Sequence, residues 1–202
     1  MTQAADDLIL ASASHSRRKL LEAAGVAFRT IAADVDEAPI KRRHIPAGPG
    51  FADLAAELAI AKALAVASRY PDALVIGADQ ILAFEGGAFD KPASIEAARQ
   101  QLVRLRGRRH SLATAVACVR GTDVLWTHIE APQLTIREFS SDWLETYLAA
   151  EGETVTETVG GYRIEGLGVQ LFESMAGDYF AILGLPLLPL LTFLRGQGAL
   201  AT

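Results

Sequence analysis

The chain is poor in almost everything that staples or anchors a fold. A single cysteine, Cys118, among 202 residues excludes an internal disulfide and a cysteine-based zinc site. It stands in the apolar run 115–119, where an inert core thiol is expected. Basic residues are in deficit, 19 against 24 acidic, and the net charge of −5 excludes an overall basic nucleic-acid binder. No stable nucleic-acid partner is expected, and a small anionic ligand would have to be drawn by local charge or a metal. Long apolar runs are missing too. The longest, residues 181–194, is interrupted by Pro186 and Pro189, whereas a membrane span takes about 20 residues. Asp6 and Asp7 precede only four apolar residues, unlike the basic start and apolar core of a secretory leader. The expectation is therefore a cytoplasmic protein with no membrane partner.

What the chain does have is core. Half of its residues are hydrophobic and 21% are charged, the balance of a globular protein. Its length suits one domain or two closely joined lobes over residues 1–202. Neither an internal repeat nor a low-complexity block is visible beyond an alanine bias.

Strands are expected over 8–11, 27–33 and 73–78, the last a continuous apolar run of the kind covered on both faces of a sheet. Short strands at 81–84 and 88–89 flank Glu85-Gly86-Gly87, a hairpin turn. Two long strands, 110–120 and 124–136, follow. Helices are expected over 16–24, 51–68, 94–105 and 186–194, with one opened by Ser140 or Ser141 and running to 150. Residues 38–50, with three prolines, two glycines and the cluster Lys41-Arg42-Arg43-His44, have the composition of a loop. Residues 160–168 are glycine-rich, and the last seven read as frayed. The alternation gives an α/β fold with a mixed sheet flanked by helices.

Several places could carry chemistry. Between the first strand and helix lie Ser12, Ser14 and Ser16, followed by Arg17 and Arg18. Free N–H groups at a helix start favour anions, and arginine binds phosphate oxygens bidentately. The alternative is a well-capped surface helix with solvated arginines. No G-x-x-x-x-G-K-[ST] occurs, which excludes a Walker P-loop. Lys62, the only charge in residues 58–67, faces away from Asp53 and Glu57. It either snorkels to solvent or reaches a polar cleft. Asp79 ends the apolar run 73–78, where a carboxylate can hold a divalent metal, act as a general base or simply close a turn. Asp34, Asp36 and Glu37 form an acidic cluster suited to Mg²⁺ or to solvent, and Lys91 precedes a rigid proline. The four histidines show no metal-ligand spacing. Together these groups describe a site with cations for phosphates, carboxylates for a metal and one carboxylate for a water.

Six segments in order and spacing resemble the Maf family of nucleoside triphosphate pyrophosphatases. They are residues 10–18 (LASASHSRR), 35–37 (VDE), 61–63 (AKA), 77–80 (GADQ), 90–92 (DKP) and 165–168 (EGLG), and the likeness runs from about residue 8 to 194. It implies an elongated α/β fold with a cleft between two lobes. It also implies cleavage between the α- and β-phosphates of a nucleoside triphosphate, a divalent cation (Mg²⁺ or Mn²⁺), a cytoplasmic location and often a homodimer. Residue by residue, it implies phosphate binding by Ser12 and Arg17, with Arg18 beside them. It makes Asp79, Glu37, Lys62 and Lys91 the catalytic set, with Asp79 as proton acceptor and Glu37 and Asp79 as metal ligands. It places Ser16, Gln80 and Glu165 at the base. Gln80 and Glu165 resemble the 7-methyl-GTP subgroup, whereas Ser16 replaces an arginine of the dTTP/UTP subgroup or a tryptophan of the other. His15 stands where the family usually has proline, and Asp90 where it usually has glycine. A dTTP/UTP pyrophosphatase and a nucleotide-binding regulator of division without turnover remain the alternative readings.

Overall fold

A computed structural model describes residues 7–44 and 50–201. In chain order these form β1 (Leu8–Leu10), α1 (His15–Ala23), β2 (Arg29–Thr30), α2 (Ala38–His44), α3 (Phe51–Ala67), β3 (Leu74–Phe84), β4 (Gly87–Phe89) and α4 (Ile95–Leu105). There follow β5 (Arg109–Arg120), β6 (Asp123–Glu130), β7 (Gln133–Ile136), α5 (Ser141–Glu151), β8 (Phe172–Ala176), α6 (Tyr179–Ile182) and α7 (Leu187–Gly196). The strands make a mixed sheet, so the α/β class holds. None of the described helices is long and apolar enough to cross a membrane.

Two compact units are present. The first takes the described parts of Met1–Gln80, Thr114–Glu130 and Asp178–Thr202. In it β1 lies parallel between β2 and β3, with Leu10 opposite both Thr30 and Ile76. Successive side chains of a strand point to opposite faces, and the core divides accordingly. Leu8, Leu10, Leu74, Ile76 and Ala78 pack with Cys118, Leu187, Leu190 and Leu194. Ile9, Ala11 and Val75 pack with Ala63, Val66 and Ala67 of α3. Burial pushes the Cys118 thiol up, away from the reactive thiolate.

The second unit comprises Ile81–Ala113 and Ala131–Gly177. Its hairpin joins β3 to β4 through Glu85 and Gly86, both at positive φ, as a two-residue type I′ turn demands. Ser94 and Ser140 cap α4 and α5 by accepting from the N–H groups of Ala97 and Trp143.

Four expectations are corrected. Residues 38–44 are helical, because Asp36 accepts from the Ala38 N–H, Pro39 sits in the first turn and Ile40 is buried; residues 45–49 of the expected loop lie outside the described residues. The expected strand 124–136 breaks at Ala131-Pro132 into β6 and β7. The strand expected over 27–33 shortens to two residues. The C-terminal residues are not frayed as far as Leu200: Ala199 donates to Leu194, and Ala199 and Leu200 pack on the core. Two elements, β8 and α6, had no legible signal, since β8 is largely exposed and α6 has four residues.

Candidate active site

The turn after β1 is held by its own side chains. The buried Ser12 Oγ accepts from the Ser14 N–H (3.1 Å) and from Arg17 Nη1 (3.3 Å). A hydroxyl has two acceptor positions and one hydrogen, so the O–H is what Ser12 has left to offer. Ser14 caps α1, its Oγ accepting from the Arg17 N–H. Arg17 turns inward, donating from Nε to Gly184 O (2.7 Å) and from Nη1 to Ala78 O (2.8 Å). Gly184, at φ +101°, leaves a Cβ position that already touches Arg17 Nε. Burial pulls the Arg17 guanidinium below its ordinary pKa, and the charges of Asp79 and Glu37 oppose that pull. Both carboxylates therefore act on the same guanidinium that braces the turn.

Opposite that turn, α3 lies directly on β3. A Cβ at Gly77 would stand 2.1 Å from Ala59 O and 2.8 Å from Ala63 N, so only glycine admits the helix at this separation. Leu54, Leu58 and Val66 are buried at spacing four, and Lys62 falls in the same row. Its side chain is 17% exposed and its ammonium is paired rather than solvated alone. Lys62 Nζ donates to Asp79 Oδ1 at 2.5 Å and pairs with Glu37 Oε1 at 2.8 Å. Asp79 lies on the β3 face that carries Val75 and Gly77 and is itself buried. It does not end its strand, because β3 continues to Phe84, where β4 pairs with it. It does lie beyond the carboxyl end of the parallel neighbour β1, which stops at Leu10 opposite Ile76.

Glu37 immediately precedes α2. Its Oε2 pairs with Lys41 at 3.2 Å, one helical turn on, and α2 is clasped to α3 by Arg43 and His44 on Glu57. Lys62 and then Lys41 outweigh desolvation and hold the Glu37 carboxyl below its ordinary pKa. Lys41 is a site residue that sequence reasoning passed over. The i,i+4 spacing of Glu37 and Lys41 was the signal, hidden by reading the segment as a loop.

Five expected residues thus converge in the first unit: Ser12, Arg17, Glu37, Lys62 and Asp79. Ser16 is half-buried on α1, while Arg18 is exposed and meets His15 and Glu22. Asp36 caps α2, and Asp34 is exposed. Gln80 faces away from Asp79: its amide nitrogen donates to Thr114 Oγ1, Ala181 O and Ile182 O. Those bonds belong to the fold, so the donor expected to read a base edge is committed within it. Lys91 and Glu165 are exposed residues of the second unit.

Among the described residues no group of three or more His, Cys, Asp or Glu side chains is arranged to hold a metal. The pair Glu37 and Asp79 nevertheless has the chemistry for Mg²⁺, which is commonly held by one or two carboxylates together with substrate phosphates.

The protein-family model described as Maf-like protein matches residues 7–197. A protein of Granulibacter bethesdensis named nucleoside triphosphate pyrophosphatase is 51% identical over 193 residues, covering 96% of this chain and 98% of that one. One of Paramagnetospirillum magneticum with the same name is 48% identical over 192 residues, 95% and 99% of the two chains. One of Rhizobium meliloti named 7-methyl-GTP pyrophosphatase is 46% identical over 193 residues, 96% and 97%. With a family match spanning nearly its whole length and relatives about half identical end to end, the chain belongs to the Maf-like family.

Proposed function

We propose that the protein is a cytoplasmic nucleoside triphosphate pyrophosphatase that cleaves the α–β phosphoanhydride bond, giving the nucleoside monophosphate and pyrophosphate. The observation that carries this reading is the Lys62 ammonium held between Asp79 and Glu37 in the first unit, which also holds the braced turn of Ser12 and Arg17. Attack on a polyanion needs charge neutralisation and positioning more than covalent help. Lys62, the remaining donors of Arg17 and the Ser12 O–H supply cationic and hydrogen-bonding partners for phosphate oxygens. Asp79 orients a water and takes its proton as the bond to the α-phosphorus forms and pyrophosphate leaves. Glu37 and Asp79 would hold a divalent cation together with the substrate, and it would supply Lewis-acid neutralisation of phosphate charge. The role of Lys91 as a further phosphate cation rests on the family motif alone.

For the base, the reading is a preference for guanine-type triphosphates, 7-methyl-GTP included, over dTTP and UTP. With the Gln80 donor committed, selection is assigned to Glu165, an exposed acceptor suited to guanine N–H donors and ill suited to the carbonyls of uracil and thymine. The 46% identical relative named for 7-methyl-GTP supports it.

The test is a nucleotide panel with Mg²⁺, products resolved by chromatography. Monophosphate and pyrophosphate are expected, with Glu165→Gln moving the kcat/KM ratio towards dTTP and UTP. Binding without release would favour a regulator, and inorganic phosphate as the first product would replace the reaction class. A tenfold preference of the unaltered enzyme for dTTP or UTP, about 1.4 kcal/mol, would overturn the base assignment alone.

A further inference from the structure

Glu151 is a carboxylate in the wrong place for its helix. It is the last residue of α5, where the negative end of the helix dipole disfavours an anion, yet its side chain is only 10% exposed. It is held there by what lies ahead in the chain. Its Oε1 accepts from the Leu167 N–H at 3.1 Å, and its Oε2 accepts from Thr154 Oγ1 at 3.0 Å and faces Arg163 Nη1 at 3.6 Å.

The glycines around Leu167 fit the same arrangement. A Cβ at Gly166 would come within 3.0 Å of Glu151 Oε1, and one at Gly168 would stand 2.4 Å from Arg163 O. The segment turns back on itself, Gly166 donating to Arg163 O and Val169 to Gly166 O. The motif Glu165-Gly166-Leu167-Gly168 is therefore a loop packed closely on the Glu151 carboxylate and the Arg163 backbone, all within the second unit. Glu165 itself is exposed beside it.

We infer that Glu151 is the positioning residue for this loop and, through it, for base selection. The inference rests on the reading of Glu165 as the base-selecting acceptor. This role needs no contact between Glu151 and substrate. It fixes the backbone from which Glu165 projects, and releasing that backbone lets Glu165 sample orientations that no longer discriminate one base edge from another.

The test pairs amide hydrogen exchange with substrate selectivity in Glu151→Ala, Glu151→Gln and Glu165→Gln. In Glu151→Ala the Leu167 amide is expected to exchange about tenfold faster or more, the loss of one charge-assisted hydrogen bond, while amides in the middle of α5 keep their rates. The kcat/KM ratio of 7-methyl-GTP to dTTP is expected to fall by about tenfold where Glu165 supplies that much, about 1.4 kcal/mol, with the change in KM for 7-methyl-GTP. Glu151→Gln keeps an acceptor for the Leu167 N–H, so it should rescue most of both effects, which a purely structural charge would not show. Leu167→Pro deletes the donor instead, at a position where proline suits the first residue of a helical turn, and should reproduce the loss of selectivity if Glu151→Ala fails to fold. Unchanged Leu167 exchange overturns the inference. So does wild-type selectivity in the Glu151 and Leu167 variants while Glu165→Gln shifts it. If Glu165→Gln shifts nothing, the reading of Glu165 falls, and with it the selectivity assigned to Glu151, whatever the exchange shows.

Discussion

Gly77→Ala is the sharpest probe of how packing makes this site. The added methyl would start 2.1 Å from Ala59 O, 2.8 Å from Ala63 N and 2.9 Å from Ala63 Cβ, all on α3. Relaxed contacts of this kind lie about 3.5–4.0 Å apart, so α3 must retreat by about 1 Å or more. Two effects on stability compete. Alanine is favoured over glycine in a strand by about 0.5–1 kcal/mol, whereas overpacking costs about 1–3 kcal/mol. The obstacle is helix backbone rather than a flexible side chain, so overpacking wins. The net loss of about 1–2 kcal/mol corresponds to about 2–8 °C in Tm for a chain of this size. Activity should suffer more. Lys62 neighbours Ala63, and its contacts at 2.5 Å to Asp79 and 2.8 Å to Glu37 have no slack for such a shift. A misplacement of about 1 Å can cost about 10²-fold, and a fall of that order in kcat for pyrophosphate release is expected. Gly196→Ala is the control, since a Cβ there meets nothing within 4 Å, and it should leave both readouts near normal. Wild-type kcat and Tm in Gly77→Ala would refute the argument that this glycine sets the Lys62–Asp79 contact.

Two further outcomes follow from the same geometry. Asp79→Asn keeps an oxygen for Lys62 to bond and should retain nucleotide binding while losing about 10²-fold or more in kcat; a variant holding more than about a tenth of wild-type kcat would remove Asp79 as the base. His110 is buried against Tyr162 Oη, and burial lowers its pKa from 6.5 to about 4. Between those values the unfolded chain takes up a proton that the native state refuses. Stability is therefore undiminished above pH 6.5 and declines as the pH falls towards 4, by about 3 kcal/mol in all. His110→Phe should lack that decline, though it begins less stable because Tyr162 loses its partner; parallel pH profiles for the two proteins would contradict the assignment.

Much of the site was legible because its residues lie at places that local rules mark. Ser94 is a cap residue before apolar periodicity, and the structure uses it as one, whereas the helix expected from residue 16 starts at His15 with Ser14 as its cap. Lys62 stood out as a charge on an apolar helical face. The sequence left two fates open for it, solvent or a polar partner, and the choice fell to residues 25 and 17 positions away, Glu37 and Asp79. Gln80 was less fortunate. Its neighbour Asp79 drew it into a motif, but adjacent strand residues face opposite ways, and Gln80 bonds α6 instead.

The sequence alone determined the class of fold, the Ser94 cap, the β3–β4 hairpin and which side chains carried charge into apolar surroundings. These depend on periodicity, backbone permissiveness and composition, which act over a few residues. Only the tertiary structure decided that Arg17 braces Gly184 and Ala78, that Glu37, just ahead of the helix 38–44, pairs with both Lys41 and Lys62, and that Glu151 anchors the loop of Glu165. Each of those choices lets partners outside the local segment satisfy a charge or a hydrogen bond. A charged group removed from water takes whichever partner the packing brings within reach, and that partner is set by how helices and strands meet rather than by the residues on either side.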